Sequence, residues 1–257
     1  MKDYTIAETF TLPSKGKVYD NILVAPTFKM ASMTTTHEMR RLAPSELPYK
    51  NMCDIIDECM IDNPGISAYD MCVGDYQFCL HKLRIVTYGP QFKMNSVCPY
   101  CGFENQEVIN LEDFEVLEYN EDIEKYREFV LPSSGKKIKL NVETPRRLDN
   151  ITERVKEFKR KNPDSLTDQS LVFTLSGLIK SVDGIELNQI KLEEWIRNLP
   201  MKDTNVILHN ADKFNTAIGI NTEMEETCNM CLLTYRTNFR ATSEFFRPTL
   251  DIWWKTL

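Results

Sequence analysis

The amino-acid sequence predicts an α+β fold that combines β-hairpins with a helical insertion. Segments with alternating apolar and polar residues occur at the N-terminus and on both sides of two Cys-x-x-Cys turns, as expected for half-buried strands. Segments with apolar residues at helical spacing occupy much of the chain between those turns. Apolar residues make up 42% and charged residues 27% of the 257 residues, which is typical of a globular protein with one large or two modest domains. The sequence contains no low-complexity tract and no fixed-period repeat.

The charge balance and the distribution of apolar residues argue against several classes of protein. A net charge of -7 disfavours a large nucleic-acid-binding surface, because phosphate contacts need Lys and Arg. The sequence has no run of roughly 18 apolar residues, and residues 1–10 lack the apolar stretch of a signal peptide. We therefore expect a soluble protein that is neither secreted nor membrane-spanning. In a reducing compartment its 8 cysteines should be free, buried or metal-bound.

The first elements are predicted in chain order as follows. Residues 5–12 and 18–30 form a β-hairpin with a Pro- and Gly-containing turn between them. A helix begins after the three threonines that precede Glu38, in a pattern that resembles a capping box. A second helix carries one apolar face, formed by Met52, Ile55, Ile56, Cys59 and Met60. A third helix spans residues 67–83, and residues 83–97 form a strand that leads to the first Cys-x-x-Cys turn.

A strand leaves this turn, and a second hairpin spans residues 129–145. Helices are predicted across residues 149–200, including a buried apolar helix at 170–182 and a helix that Asn188 caps. One more helix covers residues 202–214. The chain then becomes β-rich on both sides of the second Cys-x-x-Cys turn.

The two Cys-x-x-Cys turns carry the strongest chemical signal in the sequence. They supply Cys98 with Cys101, and Cys228 with Cys231. A zinc ribbon is built from two such turns, because zinc takes four thiolates at tetrahedral corners and each turn places two sulfurs on one side of the ion. A compact ribbon has roughly 15 to 20 residues between its two pairs. Here a much longer segment separates the two Cys-x-x-Cys turns, so the sequence predicts a split ribbon with one structural zinc ion. The long segment does not prevent pairing of the turns, because loop-closure entropy grows only slowly with loop length.

Other interpretations of the two turns stay open, namely a thioredoxin-like redox pair, an iron–sulfur cluster and two unrelated surface turns. A redox pair normally opens a helix that lowers the pKa of its first thiol. Here Gly102 and a β-rich segment follow the first turn, and a β-rich segment follows the second. Structural zinc is therefore the favoured interpretation.

The remaining cysteines and the histidines form no motif. Core packing is the expected state of Cys53, Cys59, Cys72 and Cys79. No mutual spacing assigns a role to His37, His81 or His209. The sequence also lacks a P-loop, a dinucleotide-binding glycine pattern, a nucleophile elbow and a zinc-protease motif. We therefore expect a protein that acts by binding and is not an enzyme.

These predictions divide the chain into four parts. Residues 1–97 form an N-terminal hairpin with helices, residues 98–110 and 218–240 form the split zinc ribbon, and residues 111–217 form the inserted hairpin and helices. Residues 241–257 form an aromatic tail, which either closes the core or binds a partner. The candidate partner-binding residues of this tail are Phe245, Phe246, Arg247, Trp253 and Trp254.

The order of short motifs along the chain also matches a known family. The motifs are LPSKG before Tyr19, TTTHEMRRL, CPYCG, LPSSGKKI followed by TPRR, and CNMC before EFFRP. In this order, and across most of the chain, the sequence resembles the baseplate hub assembly proteins of T4-type contractile-tailed bacteriophages.

The resemblance implies a viral protein that is made in the cytoplasm of the host bacterium and helps to form the central hub of the tail baseplate. Its partners would be other tail or baseplate hub proteins, and its place in the mature virion is left open. The resemblance implies no catalytic residue. The only site residues that it implies are the four cysteines of the two Cys-x-x-Cys turns, as zinc ligands. Two alternatives are a zinc-ribbon nucleic-acid-binding regulator, which the acidic balance disfavours, and a thiol oxidoreductase, which needs a reactive thiol of low pKa.

Overall fold

The structure is a computed structural model that describes residues 7–20, 22–239, 241 and 243–246. Within this part of the chain there are eight α-helices and five small antiparallel sheets. The prediction of a fold that mixes helices with small β-sheets is therefore confirmed.

Residues 7–110 form a first structural unit, called unit 1. Its elements are, in order, β1 (Ala7–Thr11), β2 (Thr27–Ala31), α1 (Thr35–Arg41), α2 (Pro48–Cys59), β3 (Met60–Asp62), α3 (Val73–Tyr88), β4 (Gln91–Val97) and β5 (Glu104–Asn110). The first three strands form one sheet in the order β1-β2-β3. Strands β4 and β5 form a separate hairpin, whose turn contains Cys98 and Cys101.

A connecting segment with β6 (Val116–Leu117) and α4 (Glu124–Arg127) leads to unit 2, which comprises residues 128–239. The elements of unit 2 are β7 (Glu128–Val130), β8 (Lys137–Leu140), α5 (Pro145–Lys161), α6 (Ser170–Leu178), β9 (Ile179–Val182), α7 (Gln189–Arg197), α8 (Met201–Thr216), β10 (Gly219–Ile220), β11 (Glu223–Thr227) and β12 (Thr234–Asn238). One sheet has the order β7-β8-β9, and β10 pairs with β6. The hairpin of β11 and β12 carries Cys228 and Cys231.

The two units share one order of elements. Each begins with a hairpin, continues through helices to a third strand beside the second, and ends with a long helix and a Cys-x-x-Cys hairpin, while α7 is an extra helix of unit 2. The same turn sequence, Leu-Pro-Ser-x-Gly-Lys, joins the first two strands of unit 1 at residues 12–17 and of unit 2 at residues 131–136. The sequence shows no fixed-period repeat because the segments that connect equivalent elements differ in length between the two units.

An aspartate in the first turn of the long helix binds this Ser-containing turn in both units. In unit 1 the Oδ1 atom of Asp75 accepts a hydrogen bond from the backbone N–H of Ser14 at 2.9 Å. In unit 2 the Oδ1 atom of Asp203 accepts one from the backbone N–H of Ser133 at 2.8 Å. Both carboxylates are fully buried, and these bonds satisfy turn N–H groups that would otherwise be buried without a partner.

Each unit has its own apolar core. In unit 1 the core includes Phe28 on β2 and Leu83 on α3, and it continues into the C-terminal aromatic residues. In unit 2 the core includes Ile138 on β8 and Ile207 on α8. Because burial of apolar surface is the main favourable term in folding, each unit contains the interactions that stabilise its own sheet.

The units contact each other closely where α3 meets the end of α8. A Cβ atom at Gly74 would lie 2.2 Å from the carbonyl oxygen of Ile218, so only glycine permits this approach. The pairing of β6 with β10 also brings together the two ends of the predicted insertion, residues 111–217, as expected. The division of the chain into the four predicted segments stays a prediction.

Several predicted elements differ in the structure. Residues 83–88, predicted as a strand, instead complete α3, because the helical conformation buries their apolar side chains. The helix ends at Gly89, which has a φ angle of 82°. Residues 179–182, predicted as the end of a helix, form β9, because they pair with β8. Residues 18–20 and 22–26, predicted to begin the second strand, form a loop, and α3 begins at Val73 rather than at residue 67. The N-terminal hairpin, the hairpin around residues 131–136 and the helix capped by Asn188 are confirmed.

Candidate metal centre

The two Cys-x-x-Cys turns have the same backbone geometry. In the first turn, the N–H of Cys98 donates to the carbonyl oxygen of Phe103 at 2.9 Å, and the N–H of Gly102 donates to the carbonyl oxygen of Cys98 at 2.9 Å. In the second turn, the N–H of Cys228 donates to the carbonyl oxygen of Leu233 at 3.0 Å, and the N–H of Leu232 donates to that of Cys228 at 2.9 Å. Each turn therefore holds its two cysteines on one side of a hairpin end.

The four sulfur atoms of these turns come together at one place. The Sγ atoms of Cys98, Cys101, Cys228 and Cys231 all lie within 4.8 Å of one another. The Sγ atoms of Cys98 and Cys231 are 3.7 Å apart, and those of Cys101 and Cys228 are 3.5 Å apart. A tetrahedral zinc site with Zn–S bonds of ~2.3 Å has sulfurs about 3.8 Å apart. The arrangement thus fits a tetrahedral ion held by one hairpin from each unit.

The protonation of these thiols also favours a cation. Burial opposes ionisation of Cys228, but hydrogen bonds, including those from the backbone N–H groups of Cys231 and Met230, outweigh it and lower the pKa of Cys228 to about 6. The backbone N–H of Phe103 favours the thiolate of Cys101, but desolvation and the neighbouring sulfurs raise the pKa of Cys101 to about 12. One thiolate forms readily and further ionisation is opposed, so a divalent cation would be needed to hold several thiolates together.

A polar network beside the sulfurs ties the two hairpins to each other. The hydroxyl of Tyr235 on β12 donates to Glu226 on β11 at 2.6 Å, lies 2.8 Å from the hydroxyl of Ser96 on β4, and accepts from the amide of Asn105 on β5 at 3.1 Å. Ser96 also donates to Glu226. The Oδ1 atom of Asn105 accepts from the backbone N–H of Asn229 at 2.9 Å, which anchors the second turn.

This network was not found from the sequence. Ser96 and Glu226 each stand two residues before the first cysteine of their turn, and Asn105 and Tyr235 each stand four residues after the second. The only sign of this network in the sequence is therefore that its residues occupy matching positions, relative to the cysteines, in the two hairpins. Asn105, Glu226 and Tyr235 are 1%, 2% and 6% exposed, so each polar group needs its partners.

The predicted partner-binding residues of the tail fall into two groups. The structure buries Phe245 and Phe246, at 0% and 5% exposure, in the core of unit 1. The ring of Phe245 lies 5.1 Å from that of His81. The backbone carbonyl oxygen of Phe245 accepts a hydrogen bond from Nε of the buried Arg84 at 2.7 Å. These two side chains thus pack inward in this structure. Partner binding stays a prediction for the rest of the tail, since its other candidates lie outside the described residues: Arg247, Trp253 and Trp254.

The other candidate metal ligands do not form a second centre. The four remaining cysteines are buried as expected, namely Cys53, Cys59, Cys72 and Cys79. His81 is buried among aromatic rings, which lowers its pKa to about 4 through desolvation first and then through the charge of Lys82. Within residues 7–20, 22–239, 241 and 243–246, no second group of three such side chains comes close enough for a shared ion.

A comparison with protein-family models identifies the family of the chain. The family model described as "T4 bacteriophage base plate protein" matches residues 4–247. The chain belongs to this base plate family. The match spans both units and both Cys-x-x-Cys turns of the base plate protein, and it confirms the resemblance to T4-type baseplate proteins. Neither a curated protein nor a solved structure matches the base plate protein.

Family membership indicates a structural role for this base plate protein in the phage tail, with other base plate proteins as its partners. Four closely spaced sulfurs could hold a metal ion in it. Within the described part of the chain, no helix combines the length and apolar character needed to cross a membrane.

Proposed function

We propose that this protein is a zinc-stabilised component or assembly factor of the phage tail baseplate hub, and that it acts by protein–protein binding without catalysing a reaction. The observation that carries the proposal is the meeting of one Cys-x-x-Cys turn from each unit, with all four sulfurs within 4.8 Å. The family match supplies the setting, which is the base plate of a phage tail.

The donor set supports zinc in particular. Four thiolates from two Cys-x-x-Cys turns form the usual ligand set of a structural zinc site, which has no open position for substrate. Structural zinc contributes roughly 10 kcal/mol or more to the folding of small zinc domains at neutral pH. An ion here would join the β4–β5 hairpin of unit 1 to the β11–β12 hairpin of unit 2. It would thereby hold the two units in one orientation, which a structural component needs.

The alternatives fit the site less well than zinc binding does. A thiol oxidoreductase would use a cysteine of low pKa, as Cys228 has, but Cys228 is fully buried. A thiol oxidoreductase places its reactive cysteine at the start of a helix, whereas both turns here join two antiparallel strands. A nucleic-acid-binding ribbon needs exposed cations, but Arg236 on β12 is paired with Glu223 and Glu225 of its own hairpin.

The metal content of the purified protein tests the zinc part of the proposal. We expect one zinc ion per chain by native and elemental mass spectrometry, and loss of this ion in Cys98→Ser and in Cys228→Ser. The matched control is Cys79→Ala, because Cys79 is a buried thiol of the core outside the site. Zinc-free wild-type protein, prepared without chelators, would contradict the zinc assignment.

A genetic experiment tests the baseplate part separately. A phage that lacks this gene is grown in cells that supply the protein from a plasmid, and tails are counted by electron microscopy. We expect assembled base plates with the wild-type protein and none without it. Normal base plates in the absence of the protein would overturn the proposed role, whatever the metal content.

A further inference from the structure

The two Cys-x-x-Cys turns expose large apolar side chains beside the clustered sulfurs. We call this surface the tip. It consists of side chains that are between 40% and 75% exposed, namely Val97, Tyr100, Phe103, Met230, Leu232 and Leu233. Each stands within two residues of one of the four clustered cysteines, so all six lie in the region around the sulfurs. Monomeric proteins rarely expose contiguous apolar patches larger than a few hundred Å² unless the patch binds something.

The two hairpins expose apolar side chains at equivalent positions. Tyr100 and Met230 each precede the second cysteine of their turn and are 62% and 68% exposed. Phe103 and Leu233 each stand two residues after that cysteine and are 40% and 51% exposed. The apolar contacts inside the ribbon are instead made by Tyr235 and the cysteines. The exposed side chains therefore add little to the stability of the ribbon, which indicates a surface for association.

The charges around the tip decide what kind of partner fits. The exposed charged residue closest in sequence to the cysteines is Glu104 in the first hairpin and Glu225 in the second. Glu225 is paired only with Arg236, which also contacts Glu223, whereas Glu104 has no cationic partner within the described part of the chain. Lys93 lies at the far end of β4. Among the described residues, the edge of the tip therefore carries an unpaired carboxylate, Glu104, on the first hairpin and two carboxylates that share one arginine on the second, so its net charge is negative.

We propose that the tip is the docking surface for another baseplate protein, whose contact surface is apolar at its centre and carries Lys or Arg at its edge. This inference rests on the proposed function and adds the site and the chemistry of the contact. A second copy of this chain fits poorly, because it would bring the same acidic edges together in a protein of net charge -7. Tyr and Met are common residues at the centre of protein interfaces.

Site-specific photo-crosslinking in infected cells tests the proposal. A benzoylphenylalanine side chain replaces Tyr100 in the full-length protein, which is supplied from a plasmid to a phage that lacks the gene. The control places the same probe at Leu166, which is fully exposed in the loop between α5 and α6. Crosslinked peptides are then identified by mass spectrometry, and zinc content and thermal unfolding confirm that the labelled protein is folded.

The expected result is a crosslink from position 100, and none from position 166, to an apolar segment of a baseplate protein flanked by Lys or Arg. The double variant Glu104→Lys/Glu225→Lys should reduce the crosslink yield by about tenfold, while a matched Glu104→Gln/Glu225→Gln variant should reduce it less. A crosslink to a second copy, a crosslink that is insensitive to both variants, or none at all would overturn the proposal. If base plates still depend on the protein in that case, the proposed function survives and only the docking surface fails.

Discussion

Leu232 has the backbone conformation that Gly102 has at the equivalent position of the other Cys-x-x-Cys turn. The φ angle is 61° at Leu232 and 73° at Gly102, and both residues immediately follow the second cysteine of their turn. Residues with a Cβ atom disfavour this left-handed region, whereas glycine adopts it freely. The second turn thus contains backbone strain that the first turn avoids.

Replacing Leu232 by glycine should stabilise the protein by about 0.5 to 1 kcal/mol, because relief of the strain exceeds the entropy that glycine loses on folding. The Leu232 side chain is 75% exposed, so little packing is lost. The measurement is chemical unfolding of the zinc-loaded protein. The reverse change, Gly102→Ala, should destabilise by about 1 kcal/mol from strain alone, since no atom lies within 4 Å of the added Cβ. A destabilised Leu232→Gly variant would contradict this account.

The buried carboxylate of Asp203 should make stability depend on pH. Burial alone would raise its pKa, but hydrogen bonds from the N–H groups of Ser133 and Ser134 outweigh burial and lower it below the ordinary 3.8. The folded state therefore binds the proton less tightly than the unfolded state does. The stabilisation is present above about pH 4 and is lost as the pH falls through the folded-state pKa.

We expect Asp203→Asn to lower the free energy of unfolding by about 2 kcal/mol at pH 7, the usual size for hydrogen bonds to a charged group. The difference from wild type should shrink as the pH falls below about 4. Asp212→Asn is the matched control, because Asp212 is an exposed residue of the same helix. A difference that stays constant between pH 7 and pH 3 would argue against this origin.

The contact between the units at Gly74 should not tolerate a larger residue. An added Cβ would meet backbone atoms of Ile218 and Gly219, which cannot move without shifting the end of α8. Gly74→Ala should destabilise by about 2 to 3 kcal/mol in thermal or chemical unfolding.

Gly177→Ala in α6 is the control for this substitution. Its Cβ would meet only the end of the Ile151 side chain, at 2.9 Å, which can rotate away. Because alanine is also the better helix former, this variant should stay within about 1 kcal/mol of wild type. Equal effects of the two substitutions would mean that the close approach at Gly74 does not constrain the units.

The hydroxyl of Tyr235 should contribute to the joining of the two hairpins. Tyr235→Phe removes the partner shared by Ser96, Asn105 and Glu226, so it should destabilise by about 1 to 2 kcal/mol. Tyr100→Phe, at an exposed tyrosine, should be neutral and serves as the control. The measurement is the free energy of unfolding of both variants with zinc present. Equal values would show that the network does not contribute to stability.

Removal of the metal should loosen the two ribbon hairpins and leave the unit cores folded. Each unit keeps its own three-stranded sheet and apolar core, and Phe92 of β4 lies in the core of unit 1. The ends of the hairpins that carry the cysteines contribute only a small buried cluster around the sulfurs. After treatment with a strong chelator, amide hydrogen exchange should become faster in β4, β5, β11 and β12 and stay slow in β2 and β8. Unchanged exchange in the hairpins would contradict a structural role for the ion.

The sequence by itself determined the features that depend on residues close together in the chain. Turn residues placed the N-terminal hairpin and the hairpin around residues 131–136, and Asn188 marked the start of α7. Two Cys-x-x-Cys turns with β-rich flanks predicted that four sulfurs meet, as they do. These signals are local because capping, turn formation and the spacing of two ligands act within a few residues.

Only the tertiary structure decided the features that depend on partners far along the chain. Residues 83–88 have strand-forming side chains yet complete a helix, and residues 179–182 follow a helical pattern yet form a strand, because burial and pairing outweigh weak local preferences. The bonds of Tyr235 to Ser96 and Asn105 exist only once the two hairpins meet. The correspondence of the two units was likewise hidden, since their shared contacts join residues separated by segments of unequal length.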